Sequence, residues 1–490
     1  MENQIISDPK KQFWVVASLI FASLMYALDI YIVNISLPTI AGYFGVGTEM
    51  VSWVTLSYLM AVASTLLLFG KLGDRFGIKN IFIQGYCVFT AGSLMCGLSP
   101  NLFFLVASRF VQGIGASMFT ATVFAAVTRY LPVDKRGWVF GLVSMAAAFG
   151  ITIGAPLGGL ISAYSTWHWI FLINIPFGIV AVIIAKANLP APRRISERKK
   201  VSGFDITGAA LSFFSILALV YALNKSDHYG WFSPVILSTM VFFAVTMTAF
   251  IVREARLKNP MLDLDLFRNP GFSLANLSAA AGYMYLSGNN FLFPFYLILV
   301  KNLRSSQAGL LIMIYSLIYM GFSSFTGKMS DRIKGGYLCS FGMLLAAAAS
   351  LIFVLALNVP GIIFVVAYLA LLGVAYGFFI APNNNQLMSF APANKYGTAS
   401  GVFMAVKTLS LVIGVNIFEA IFSGTSAHKF TSLAGGRVQA DMPVDSFLKG
   451  FRRAYILGIV VCLAAAVFSY MAGRTRQADR DREIPGRLWK

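Results

Sequence analysis

Apolar runs of about twenty residues recur along the whole chain, and each is long enough to cross a hydrocarbon layer roughly 30 Å thick as an α-helix. They lie near 14–38, 50–70, 80–99, 102–128, 138–163, 169–189, 205–224, 234–252, 271–299, 307–326, 337–357, 361–382, 399–421 and 454–472. The composition, 58% apolar with 12% charged residues over 490 positions, is too oily for a water-soluble fold of this size. Fourteen membrane-spanning helices are therefore predicted. A transmembrane barrel would show strands alternating over about 10 residues, a pattern this sequence lacks. The first run ends in Pro38 without a small-residue cleavage site, so it reads as a retained helix.

The formal net charge of +19 raises the question of nucleic acid. The basic residues, however, gather in loops on the N-terminal side of the membrane, as the positive-inside rule requires of a cytoplasmic N-terminus. Basic stretches such as 193–200 and 474–490 read as topology determinants against anionic lipid, with no nucleic-acid partner. The loop 422–453 fits least well, because it falls outside yet carries Lys429, Arg437, Lys449, Arg452 and Arg453. The cysteines, Cys87, Cys96, Cys339 and Cys462, stand inside spans and the histidines lie far apart. No disulfide framework, metal spacing or cofactor motif emerges.

Gly70, Lys71, Asp74 and Arg75 recur as Gly327, Lys328, Asp331 and Arg332, each displaced by 257 residues and each following a span that ends at the cytoplasmic side. The repeat predicts two related six-helix halves, 1–189 and 259–490. Between them 190–258 forms a linker carrying two further spans. Halves of this kind around a central site are how many secondary transporters alternate access.

Five stretches, in order, carry a resemblance to a known family. Gly70-Lys71-Leu72-Gly73-Asp74-Arg75-Phe76-Gly77-Ile78-Lys79 resembles the loop motif between the second and third helices of the major facilitator superfamily. Arg109-Phe110-Val111-Gln112-Gly113-Ile114-Gly115-Ala116 resembles its fourth-helix motif, and 150–159, with Gly150, Gly154, Pro156, Gly158 and Gly159, its antiporter motif in the fifth helix. Leu28-Asp29 through Asn34 to Leu37-Pro38, and Trp167-His168-Trp169 through Asn174-Ile175-Pro176, are similar to signatures of the fourteen-helix drug:proton antiporters. The resemblance implies two six-helix halves plus two inserted helices, both termini cytoplasmic, and proton-coupled multidrug efflux across the cell membrane. It assigns the loop, with Asp74, Arg75, Asp331 and Arg332, to gating that stabilises an outward-facing state. Gly73 and Gly77 are expected to supply the backbone freedom a reverse turn needs there; the alternative for that loop is a charged turn that only sets topology.

Four charged side chains, Asp29, Arg109, Lys407 and Glu419, fall inside spans. Each costs about 2.5–3.5 kcal/mol on insertion scales, so each calls for a function and a partner. Asp29 and Arg109 sit at compatible depths. Asp29 is the first candidate for binding and releasing a proton. Arg109 stays charged at physiological pH and modulates it; the alternative is a static buried pair. Gly150, Gly154 and Gly158 recur at every fourth position, a face open to close helix approach. Pro156 removes a backbone bond there, which suggests a hinge; packing alone is the other reading. Lys407 and His168 stand where the family often carries arginine, which weakens any transfer of anion recognition at those positions. Glu419 reads as interfacial, and Asn383, Asn384 and Asn385 as cytoplasmic caps and gate contacts.

The expected partners are protons, the lipid bilayer and a small organic substrate, with a periplasmic adaptor where the cell has two membranes. Tyr26, Asn34, Trp53, Tyr58, Gln112 and Lys407 are the candidate substrate contacts. An amphipathic drug-like cargo is favoured over the alternative, a dedicated exporter of a metabolite, siderophore or peptide, for which Lys407 would suit an anionic cargo. A channel or non-transporting receptor is a remote alternative. No span pairs a nucleophile with a base, and no phosphate-binding loop occurs, so neither an enzyme nor an ATP-driven pump is expected.

Overall fold

The computed structural model describes residues 6, 8–190, 205–230, 232–257, 262–330, 333–391, 396–423, 430–433, 437–440 and 444–483. The first helices are α1 (Pro9–Phe44), α2 (Thr48–Phe76), α3 (Ile78–Gly97), α4 (Leu102–Tyr130) and α5 (Val133–Tyr164). The sixth predicted span is broken into α6 (Trp169–Leu172) and α7 (Asn174–Asn188). The inserted pair is α8 (Ile206–Tyr229) and α9 (Pro234–Arg256). There follow α10 (Pro270–Phe295), α11 (Ser305–Met329), α12 (Gly335–Leu355), α13 (Ile363–Ser389), α14 (Tyr396–Ser423) and α15 (Val444–Glu483). A short hairpin, β1 (Phe430–Leu433) antiparallel to β2 (Arg437–Ala440), precedes α15 and runs beside α1.

Among the described residues, twelve helices are long and apolar enough to cross a membrane. The helices α3 and α10 occupy the other two predicted positions but are less apolar, α10 carrying Asn276, Asn289 and Asn290. The predicted loop 422–453 is corrected, since it contains the hairpin and the first ten residues of α15.

The chain resolves into two compact units. The first holds Met1–Met261 with Phe293–Leu310 and Ser426–Met442; the second holds Leu262–Leu292, Leu311–Thr425 and Pro443–Lys490. In the first unit α1 packs on α5, α4 on both α2 and α3, and α8 on α9 and α2. In the second, α12 packs on α13 and α15.

Local sequence sets the helix ends. Asp8 accepts from the Lys10 amide and Pro9 opens α1, while Gly45, at φ 64°, closes it. A one-residue turn lies in the repeated charged stretch. There α2 continues through Gly73 to Phe76, and the reversal into α3 falls on Gly77 alone, at φ 94°. Gly73 was expected to serve the turn. It is instead a helical residue whose missing Cβ admits Thr122 of α4, since an added Cβ would stand 3.1 Å from the Thr122 methyl. Asn383, Asn384 and Asn385 are likewise not caps, because α13 runs on to Ser389. The Asn385 amide donates to the Ser330 hydroxyl at 2.7 Å.

The glycine face of α5 has a direct packing cause. A Cβ on Gly150 would lie 2.7 Å from the Leu24 carbonyl oxygen, on Gly154 2.9 Å from the Tyr31 Cβ, and on Gly158 2.5 Å from the Ile32 carbonyl oxygen. Side chains at these positions would force α1 away. Gly159 and Gly309 play the same part between α5 and the start of α11, against the carbonyls of Ser305 and Ala155. Pro156 sits inside the continuous α5. Gly158→Ala is expected to lower the unfolding midpoint of the detergent-solubilised protein, overpacking of this kind costing about 1–3 kcal/mol. Gly141→Ala, whose Cβ would meet nothing within 4 Å, is the control expected to leave the midpoint unchanged or slightly raised. An equal midpoint for both variants would show that the α1–α5 contact yields without cost.

Candidate functional site

Asp29 and Arg109 meet in the interior of the first unit, with 0% and 1% of their side chains exposed. Arg109 Nη1 donates to Asp29 Oδ2 at 2.6 Å and to Gln112 Oε1 at 2.6 Å, and Nε donates to the Val54 carbonyl at 3.1 Å. The other carboxylate oxygen, Asp29 Oδ1, accepts from Gln112 Nε2 at 2.8 Å and from Asn174 Nδ2 at 3.0 Å. Gln112 Nε2 also donates to Ser93 Oγ at 2.8 Å. The guanidinium carbon lies 4.1 Å from the centroid of the Tyr58 ring and 5.7 Å from that of Phe171. Tyr26 stacks on Tyr58 at 6.4 Å.

Each partner is delivered by local chain geometry. Arg109 and Gln112 are three residues apart, hence on one face of α4. The glycines that follow let that face approach its neighbours: a Cβ on Gly113 would lie 2.6 Å from the Tyr58 carbonyl of α2. A Cβ on Gly115 would run into the Phe89 backbone of α3, and one on Gly92 of α3 would lie 2.7 Å from the Gln112 backbone. Asn174 opens α7 because Pro176 cannot continue the hydrogen-bond ladder from α6, which breaks the predicted span at Ile173. A charge pair this deep is stable only if its remaining lone pairs and N–H groups find partners. Five helices, α1, α2, α3, α4 and α7, supply them.

The other expected contacts fall elsewhere. Gln112, expected to touch substrate, bridges the ion pair with its amide. Asn34 accepts from Thr55 Oγ1 at 3.2 Å, one helix turn or more from Asp29 along α1. Trp53 Nε1 donates to Asn224 of α8 at 2.8 Å, and beside it Lys225 pairs with Glu49 at 2.6 Å, so this corner of α2 anchors the inserted helices. Lys407 lies on α14 of the second unit, its Nζ 5.1 Å from the Tyr283 ring centroid. Glu419, expected at an interface, has no exposed surface. His168 stacks on Trp167 at 3.8 Å, and burial there pushes its imidazole below the ordinary histidine value. It is therefore neutral at pH 7 and does not replace a fixed arginine charge. Asp331 and Arg332 lie outside the described residues. Asp74 and Arg75 belong to the last turn of α2, with their side chains outside the described atoms.

Sequence reasoning assigned no role to Asn174 or Ser93, although Asn174 stood out beside Pro176. It also missed a neutral network in the second unit. The Tyr285 hydroxyl bonds with Ser350 Oγ at 2.6 Å and with the Tyr368 hydroxyl at 3.0 Å. Tyr368 and Tyr455 both donate to Asn289 Oδ1 at 2.7 Å. Ser350 stands 257 residues after Ser93, the displacement of the charged-loop repeat.

Removing one member of a buried pair strands the other charge. Arg109→Met alone is expected to destabilise the solubilised protein by about 3–5 kcal/mol, and Asp29→Leu combined with Arg109→Met to recover most of that loss. Thermal unfolding of the two variants and the wild type checks both. A double variant as unstable as the single one would assign the loss to packing rather than charge.

The Major Facilitator Superfamily matches residues 19–415 of this chain. The chain is 31% identical to the riboflavin transporter RibZ of Clostridioides difficile, covering 86% of this chain and 91% of that protein. It is 29% identical to the probable multidrug resistance protein EmrY of Escherichia coli, covering 82% and 78%. With the multidrug resistance protein Stp of Mycobacterium tuberculosis the identity is 28%, over 81% and 74%. Among solved structures, a bacterial homologue of the human lysosomal transporter Spinster, inward-facing and unoccupied, matches with a TM-score of 0.69 at 16% identity. That alignment covers 97% of this chain and 99% of the other. The peptide transporter POT matches with a TM-score of 0.65 at 15% identity, over 94% and 95%. On the family match and the fold together, this chain belongs to the Major Facilitator Superfamily, as a multi-pass transporter of the cell membrane and not an enzyme.

Proposed function

We propose that the chain is a proton-coupled antiporter that exports amphipathic organic compounds, drugs among them, across the cytoplasmic membrane. It spans that membrane fourteen times with both termini inside. Its two six-helix halves are 1–189 and 259–490, with 190–258 inserted between them. The observation that carries this reading is the buried Asp29–Arg109 pair held by Gln112 and Asn174. A proton arriving at Asp29 takes over an oxygen that Arg109 or the two amides now occupy. It also leaves the guanidinium without its counter-charge, a state the low-dielectric interior does not tolerate unrelaxed. Proton uptake is thus tied to movement of α1 against α4. Movement of that kind is what alternating access requires of one half. If substrate and proton compete for the state, neither is released without the other arriving.

The remaining residues take supporting roles. Gly70, Gly73, Asp74, Arg75 and Gly77 form the gating turn of the first half, and Asp331 and Arg332 that of the second. Gly150, Gly154, Pro156, Gly158 and Gly159 form the hinge on α1. Tyr26, Tyr58 and Gln112 flank the coupling site, and Asn34 lies further along α1. In a cell with two membranes, a periplasmic adaptor completes the route.

Similarity to RibZ supports a second reading, a dedicated transporter of a flavin-like metabolite. In everted vesicles, cationic, neutral and anionic aromatic compounds are expected to collapse an imposed pH gradient with the wild type, and none to do so with Asp29→Asn. Equal responses from the two proteins would exclude Asp29 from coupling. A response to riboflavin alone would select the second reading. Tyr368→Phe, which removes a neutral hydrogen bond worth about 1 kcal/mol, is expected to lower stability while leaving the protons moved per substrate unchanged. A changed ratio would bring the second-unit network into the coupling path.

A further inference from the structure

Lys407 is an ionisable side chain inside a span whose setting the coupling site does not explain. It lies within the candidate span Ala399–Ser423. At 1.5 Å per residue it is about 12 Å from one end of that span and about 24 Å from the other, too deep for a lysine stem to reach either surface. No carboxylate pairs with it among the described residues. Glu419, twelve positions later, is about 18 Å away along the same helix.

The surface of α14 around Lys407 is specific. Ser400, Met404, Lys407 and Leu411 are all half-exposed and, at spacings of four, three and four, share one narrow face. The positions on either side of that face, Phe403 and Thr408, are buried. A partly accessible stripe between two buried margins is a groove, and a charged side chain at mid-membrane depth is expected to face the bundle interior or a water-filled cavity rather than lipid. The Tyr283 ring of α10 lies 5.1 Å from Nζ and packs on Phe403 at 6.2 Å, which holds the ammonium in place beside the groove. The Thr408 and Ser410 hydroxyls are spent on their own helix, bonding to the Met404 and Val406 carbonyls. The groove therefore offers one unpaired cation between apolar side chains, Met404 before it and Leu411 after it.

We propose that Lys407 with Met404, Leu411 and Tyr283 forms a substrate subsite in the second unit that takes the anionic group of an amphipathic organic anion. The inference rests on the transporter reading and narrows its substrate class. The ammonium meets the carboxylate or other acidic group, and the thioether and leucine on either side meet the apolar body. Asp29 carries the proton and Lys407 selects the cargo, so the two charges act on different ligands.

The test uses the purified full-length protein in detergent with three fluorescent probes: carboxyfluorescein as the anion, riboflavin as the neutral compound and rhodamine 6G as the cation. Carboxyfluorescein is expected to bind the wild type, to bind Lys407→Gln about tenfold or more weakly, and to recover with Lys407→Arg. Riboflavin and rhodamine 6G are expected to respond equally to wild type and variants. Unchanged carboxyfluorescein affinity in Lys407→Gln, no carboxyfluorescein binding to the wild type, or a uniform loss of all three probes would each overturn the subsite. The vesicle assay separates this result from the antiport reading. Proton movement driven by rhodamine 6G that survives in Lys407→Gln keeps antiport standing when the subsite falls. Its absence in the wild type removes antiport while the binding data still decide the subsite.

Discussion

The first unit is organised around one carboxylate placed where a charge has no water to solvate it. Asp29 is tolerated there because both of its oxygens are occupied, one by Arg109 and the other by Gln112 and Asn174. Arg109 is tolerated because Asp29, the Gln112 oxygen, the Val54 carbonyl and the Tyr58 face share its charge. At ε between the extremes of water and dry protein, such a pair is neither cheap nor dispensable. The positions of five helices are consequently constrained to within hydrogen-bond tolerance of one another.

Close backbone approach makes that constraint satisfiable. The glycines of the Arg109 stretch are packing devices: Gly113 admits the α2 backbone and Gly115 the α3 backbone. Without them α4 would stand off, and Arg109 would lose the Val54 carbonyl and the Tyr58 ring together. Gly150, Gly154 and Gly158 bring α5 equally close to α1 on the helix that carries Asp29. A glycine contact has no side chains to interlock, so it fixes distance more firmly than rotation. On the proposed antiport reading, that property suits a helix whose buried charge changes partners.

Much of this was readable in the sequence, for identifiable reasons. Hydrophobic length located the twelve described helices that are long and apolar enough to cross a membrane, though not the break at Ile173, because burial in lipid demands about twenty apolar residues whatever their identity. The pairing of Asp29 with Arg109 was readable because an intramembrane charge needs a partner at matching depth. The role of Gly73 was misread, since a glycine near a turn and a glycine at a helix contact look alike in one dimension. Its neighbour Thr122 is forty-nine residues away in the chain. The polar partners were illegible for a related reason. Asn174 and Ser93 carry no insertion cost large enough to announce them, and each acquires meaning only from the helix that faces it. The hairpin 430–440 was hidden by a loop whose charge pattern suited neither side of the membrane.

The two units show what the repeat preserved and what it gave up. Ser93 and Ser350 are related by the repeat displacement, as are Tyr58 and Tyr315, so the scaffold positions around the buried polar centre persist. The charges do not persist. Where the first unit has Asp29 and Arg109, the second satisfies its centre with the phenols of Tyr285, Tyr368 and Tyr455 around Ser350 and Asn289. Phenols joined to an amide are neutral, and no proton near pH 7 enters or leaves them. A neutral network rigidifies a unit without responding to a proton gradient. A charged one does respond, at the cost of keeping an ion pair in a place that disfavours it. If both halves titrated, two buried charge states would have to change in step. The second unit carries instead a lysine inside a span, Lys407, with no carboxylate paired to it among the described residues. The two units thus differ in how each satisfies its buried polar centre, one with a charge pair and the other with neutral phenols.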